Sequence, residues 1–330
     1  MACAAAFSTP LAAPAAGQAA LAPVERAEAA EEAGEADDRR HPGERLPDLA
    51  PGASRWFPDT RLFRSPRAAP LEPGLRGSAL STDLFRGDAP PGERPPPPVS
   101  GLRPGGTDFQ GVVSLGDSYA VRRFGNGRGG AQVGVLVGVT ARFRLATSAN
   151  EYVASDWIVG LPVEFARGPV AGRAVLFHRS AHLGDEIMEQ AGVRRVGFGH
   201  EGVTLLVGNA GRGPLRAYAG GTRLLRSETS GTLEDLGRAW DDAWELQGGL
   251  EFARGVPDQG SRLAGFWALD VQTAERTDWQ PQWAAVAGVA FRARQRSGQV
   301  ALRLLHGPSM HGEFFLTPET AWGIELSLGR

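Results

Sequence analysis

His178-Arg179-Ser180 places an imidazole two residues from a hydroxyl. In an extended strand, residues i and i+2 share a face, with Cα atoms roughly 6.5–7 Å apart. A histidine base could then meet a hydroxyl nucleophile, the pairing that activates serine for acyl transfer. Glu201 is the candidate third member, a carboxylate that would orient and stabilise the imidazole in a Ser-His-acid arrangement. The bland alternative is that His178 and Ser180 hydrogen-bond lipid headgroups, loops or neighbouring strands. A metal site is a third option. His178 and His182 lie four residues apart, about 13 Å along a strand, too far to share an ion whose bonds are near 2 Å. Asp185 and Glu186 would suit Ca²⁺ better, because that ion prefers oxygen ligands. No other cofactor is expected.

Gly125-Asn-Gly127-Arg-Gly-Gly130 fits the G-x-G-x-x-G dinucleotide fingerprint. That fingerprint requires a following helix whose N-terminus meets the pyrophosphate. Here the most strand-like segment of the chain follows, so a hairpin turn is expected and no dinucleotide.

The elements that would position these residues are strands. From Ala131 to Thr147 the odd positions read Ala131, Val133, Val135, Val137, Val139, Ala141, Phe143 and Leu145, whereas the mostly small or polar Gln132, Gly134, Leu136, Gly138, Thr140, Arg142, Arg144 and Ala146 fall on the reverse. The alternation recurs around Trp157–Phe165, Trp244–Phe252, Leu263–Val271, Trp283–Phe291, Val300–Leu304 and Trp322–Leu328. Several apolar faces begin with Trp, as an aromatic girdle at headgroup level would. A soluble β-sandwich also alternates, yet it would not bury faces carrying so much Arg, Glu and Gln. The pattern predicts an all-β, antiparallel transmembrane barrel of about twelve strands, near 75–86, 109–124, 131–147, 155–167, 170–182, 193–208, 213–226, 240–254, 261–273, 280–295, 297–308 and 319–329. Connections alternate between long (87–108, 148–154, 183–192, 227–239, 274–279, 309–318) and tight (125–130, 168–169, 209–212, 255–260, 296). Short periplasmic turns and longer external loops would produce that asymmetry. Charges on the inner faces, among them Arg142, Glu164, Glu251, Asp270, Arg303 and Glu325, are expected to pair across a narrow lumen, leaving it filled or as a small polar pore.

Composition conceals this architecture. The 330 residues are 42% hydrophobic with a net charge of -2, and all 35 basic residues are Arg. No run of about 18 apolar residues exists to make a membrane helix. The balanced charge gives no support for nucleic-acid binding. Residues 1–22 resemble the distal half of an export signal without its basic region, and 23–53 form an acidic, Pro-rich linker expected to be disordered. The barrel domain is expected over 54–330, with 54–74 as a periplasmic N-terminal segment and 87–108 as a long Pro-rich loop. Cys3 is the only cysteine, so no intramolecular disulfide forms.

Asp156-Trp-Ile-Val-Gly-Leu-Pro162 and Leu176-Phe-His-Arg-Ser-Ala-His-Leu-Gly-Asp-Glu186 resemble the DUF1207 family of uncharacterised outer-membrane barrels, whose signature is His-x-Ser-x-His-Leu-Gly-Asp-Glu. His182, Leu183, Gly184, Asp185 and Glu186 complete that motif. Trp56-Phe-Pro58, Leu62-Phe63, Leu71-Glu-Pro73, Glu201-Gly-Val-Thr-Leu-Leu206, Arg216–Gly221 and His311-Gly-Glu-Phe-Phe315 are similar to further family segments. The family's Ala-Asp-Pro appears here as Ala68-Ala69-Pro70. The resemblance implies an exported barrel in the cell outer membrane of a Gram-negative bacterium. Its partners would be membrane lipids, lipopolysaccharide and the barrel-assembly machinery, and no reaction is implied. Separately, the His-x-Ser arrangement resembles that of outer-membrane phospholipase A and lipid A deacylase barrels. Catalysis by Ser180, His178 and Glu201 on the barrel wall would then be lipid acyl hydrolysis, with Ca²⁺ as a conceivable cofactor.

Overall fold

The computed structural model describes residues 54–84 and 108–329, apart from 59, 126–128, 146–149, 189–195, 211–212, 232–239, 255–262 and 294–295. The expected export signal, linker and Cys3, most of the Pro-rich loop and the tip of the glycine turn therefore lie outside the described residues. Thirteen strands form one antiparallel sheet. They are β1 (Ser54–Trp56), β2 (Leu75–Thr82), β3 (Asp108–Gly125), β4 (Gly129–Arg144), β5 (Tyr152–Arg167), β6 (Val170–Leu183), β7 (Val196–Asn209), β8 (Leu215–Gly231), β9 (Trp244–Arg254), β10 (Leu263–Ala274), β11 (Gln282–Ala293), β12 (Arg296–Pro308) and β13 (Pro318–Gly329).

Strands β2 to β13 pair consecutively, and β13 pairs back onto β2, so twelve strands close a barrel with no free edge around the wall. The closing seam runs from Leu75 opposite Leu328 to Thr82 opposite Ala321. The short β1 adds to β3 at Arg122–Phe124, below the point where β2 begins.

Period-2 alternation sets the two faces of the wall. In β5, Trp157, Val159, Leu161, Val163 and Phe165 are exposed, whereas Asp156, Gly160 and Glu164 are buried. The outward face is an apolar belt, from Phe165 at 36% exposure to Leu302 at 64%. An apolar belt of this extent belongs against lipid hydrocarbon, because water would leave it unburied. Trp157, Trp244, Trp283 and Trp322 ring the end of the barrel that carries the long connections.

Part of the chain itself occupies the lumen. Residues 61–74, part of the N-terminal segment 54–74, thread into the barrel, where they supply partners to the wall's inward charges. Glu164 accepts the backbone N–H groups of Leu62 and Phe63 at 2.8 and 3.1 Å and the side-chain amide of Gln132 at 2.8 Å. Glu251 accepts the N–H of Arg67 at 2.8 Å and pairs with Arg216 at 3.0 Å. Arg303 donates to the carbonyl of Ala68 at 3.0 Å and to Glu325 at 2.6 Å. Arg173 grips Glu72 through two bonds of 2.5 and 2.8 Å. Apolar contacts complete the insertion: Phe63 packs with Ala166, Ala171, Leu206 and Tyr218, and Ala68 with Phe266, Ala268, Val286 and Ala301.

At the long-connection end, residues 309–317 fold inward as a cap. Phe314 packs with Leu84, Val153, Leu183 and Ile187, and Phe315 with Phe198, Leu224 and Trp240.

Candidate functional site

The His178 region sits on the outer wall of β6. Leu176, His178 and His182 are exposed and Ser180 is half-buried, whereas Phe177, Ala181 and Leu183 face inward. Register places His178 between Val159 on β5 and Glu201 on β7, and Ser180 between Trp157 and Gly199. His178 Nδ1 and Glu201 Oε1 are 3.5 Å apart, an ion-pair distance, and both are about half exposed. The Ser180 side chain has no hydrogen-bond partner among the described residues. Imidazole and carboxylate are thus together, and the hydroxyl shares their face without being bonded to them.

Their neighbours give the site its character. Below them on the same faces lie Leu176 on β6 and Val203, Leu205 and Val207 on β7, so the pair marks the upper limit of the apolar belt. Beyond Glu201, a β-bulge in β7–β8 brings Arg226 opposite Glu201 and Glu228 opposite Gly199. Arg226 and Glu228 are themselves paired and exposed. On the other side, the Trp157 indole donates to Ser155 at 2.9 Å, and the Tyr152 hydroxyl bonds the same serine. The result is a polar collar next to a girdle tryptophan, where lipid headgroups would meet the wall.

The rest of the motif is architectural. Gly184 ends β6 where no side chain fits, since a Cβ there would fall 1.9 Å from the Tyr152 carbonyl oxygen. Asp185, exposed, opens a single helical turn, Asp185–Met188, whose Ile187 is buried beside Leu183 and Phe314. The Glu186 side chain lies outside the described residues. Among the described residues, no three His, Cys, Asp or Glu side chains gather at one point.

A second polar constellation, not anticipated as a site, joins two of the motif segments inside the mouth. Asp156 takes His311 Nδ1 at 2.9 Å and the backbone N–H of Gly312 at 2.8 Å, and both side chains are buried. The adjoining Glu319 accepts the Ser309 hydroxyl at 2.9 Å and pairs with Arg142, whose guanidinium is fully buried. The signal in the sequence was an acid on the inward parity of β5 and a histidine in a loop expected to be external.

The plug carries its own electrostatics. Burial pushes the Glu72 carboxyl up, but the Arg173 guanidinium, with Arg61 behind it, outweighs burial and holds Glu72 down at about 2. Arg276, in the turn after β10, is brought down to about 9 by burial and by Arg179.

No curated protein sequence matches this chain. Among solved structures, outer membrane phospholipase A from Escherichia coli aligns with 81% of this chain and 95% of its own, at a TM-score of 0.45 and 10% identity. Likeness at that level transfers no property of that enzyme to this chain. The DUF1207 family model, described as a protein of unknown function, matches residues 105–329, the span from β3 to β13 that carries both the wall collar and the Asp156–His311 contact. The chain belongs to the DUF1207 family.

Proposed function

We propose that this protein is an integral outer-membrane barrel working as a closed structural or binding protein, not as an open pore. The observation that supports this most is the occupied lumen: Leu62 and Phe63 of the inserted segment bond Glu164, Arg67 bonds Glu251, Ala68 bonds Arg303 and Glu72 bonds Arg173, on four different strands of the wall. The apolar outer face and tryptophan girdle favour lipid and lipopolysaccharide as its surroundings, with insertion by the barrel-assembly machinery. Single-channel recording in planar bilayers tests the reading. Wild type should stay near baseline, and deletion of residues 61–73 should produce conductance. Steady open currents from wild type would overturn it.

A second reading is favoured by one contact, the 3.5 Å approach of His178 and Glu201 on the face that also carries Ser180. The reading is interfacial acyl hydrolysis. Ser180 Oγ would attack a lipid ester carbonyl while His178 takes its proton and Glu201 stabilises the imidazolium. Collapse of the tetrahedral intermediate would release the alcohol as His178 returns the proton, and water would then free the fatty acid. The test is fatty-acid release from mixed micelles, with and without Ca²⁺. Product from wild type and none from Ser180→Ala supports the reading. No product from phospholipid or lipopolysaccharide removes it.

A further inference from the structure

Arg179 lies between the two residues of the wall site and points the opposite way, into the barrel. Its guanidinium has no hydrogen bond or ion pair among the described residues, and its one aromatic contact is the Phe177 ring at 6.0 Å. Every acid near it is already engaged. Glu72 is held by Arg173, Asp156 by His311 and the Gly312 N–H, and Glu245 by Arg276.

Arg179 is half-buried, with only longer-range attraction from Asp156 and Glu72, and a guanidinium so placed gains from a direct anionic partner. Arg179 lines a partly open cavity of about 90 Å³ between the plug and the cap, with Leu71, Glu72 and Pro73 on one side, Met310 on the other and the ion-paired Glu245 in the wall. Thr204 and Thr222 line the same cavity and bond each other at 2.7 Å. One hydrogen bond between two hydroxyls uses one proton, so the other O–H remains a free donor. The chamber therefore offers a planar five-donor fork and a spare hydroxyl proton, and no unpaired carboxylate.

We propose that this chamber is a binding site for a small oxyanion, carboxylate or phosphate in chemistry, held by Arg179. A guanidinium fork matches two oxygens of such a group, which a spherical halide cannot exploit. Volume sets the size class: well over the 10–15 Å³ that one water needs, yet far below what a lipid requires. Arg276 reaches the edge of the chamber only through Glu245, its ion-pair partner.

The experiment is thermal unfolding of the full-length barrel in micelles at matched ionic strength, with inorganic phosphate, acetate or chloride as the added anion. Phosphate or acetate should raise the melting temperature of wild type by about 2–4 °C, and chloride by less. Arg179→Gln should lose that response and, with its unpaired charge gone, melt no lower than wild type without added oxyanion. Arg226→Gln on the outer collar should respond like wild type. The heat-dependent gel shift of folded barrels confirms that each variant is assembled, and Arg179→Lys, a charge without the fork, should bind at least tenfold more weakly. No oxyanion response in wild type, or an equal response in Arg179→Gln, overturns the site. A stronger response to acetate than to phosphate would identify the carboxylate as the preferred chemistry.

Discussion

Asp156 and His311 stand 155 residues apart in the chain and meet at 2.9 Å inside the barrel mouth. The same carboxylate also accepts the Gly312 N–H, so one side chain on β5 fixes the point where the cap turns inward. Just beyond that turn the cap buries Phe314 and Phe315.

Replacing Asp156 by Asn keeps the size but removes the charge and one strong acceptor. A charge-assisted hydrogen bond lost from a buried site costs about 1–3 kcal/mol. The loss should fall on the cap, because the twelve-strand ladder does not pass through this contact. Limited proteolysis should then cut Asp156→Asn within 309–317 while the barrel keeps its folded mobility on gels. Equal resistance in wild type and variant would show that apolar packing alone holds the cap.

The plug should resist acid to a predictable point. Glu72 is depressed from a usual value of 4.5 to about 2, so the folded state binds its proton less readily than the unfolded state. The Glu72–Arg173 contact therefore stabilises the plug fully above pH 4.5, and that stability falls away as pH drops towards 2. Bilayer conductance should stay near baseline at pH 4 and rise below pH about 3. Glu72→Gln should shift that rise to higher pH or abolish the baseline altogether. An acid-induced opening identical in Glu72→Gln and wild type would assign the titration elsewhere.

Much of the wall was legible because its signal is local. Period 2 needs only neighbouring residues, and the expected segments 170–182 and 297–308 fall on β6 and β12 within a residue. The same parity indicates which way His178 and Ser180 point. What stands opposite them is less legible, since Arg226 comes into register with Glu201 only through the bulge between Glu201 and Gly202. The plug was invisible for a different reason. Residues 61–74 have no period, and their partners lie far away in sequence: Leu62 bonds Glu164 across 102 residues and Arg303 bonds Ala68 across 235. Inward charges without matched neighbours on adjacent strands were the available hint that something else fills the lumen.

Lipid contact makes an asymmetric prediction at β12. Leu302 points outward and is 64% exposed, and its neighbour Arg303 points inward and is buried. Leu302→Arg should cost about 2–4 kcal/mol of folding free energy in bilayers, as charges near the midplane of a barrel wall do. On a soluble sheet the same exposed change would fall within about 0.5 kcal/mol. Equilibrium folding into vesicles measures the difference, and a neutral result would place this face in water.

The wall and plug also touch where a glycine permits it. A Cβ at Gly138 on β4 would come within 2.9 Å of Pro73 Cβ and 3.3 Å of Ile158. Contacts that close force one partner to move, and Ile158 belongs to the hydrogen-bonded wall. The segment around Pro73, held chiefly by side chains, is the partner free to yield. Gly138→Val should therefore displace the plug while the barrel remains closed, giving conductance at neutral pH where wild type gives none. If the variant is as silent as wild type and equally stable, the segment accommodates the added methyl groups without leaving the lumen, and its hold on the wall is stronger than the Pro73 contact alone.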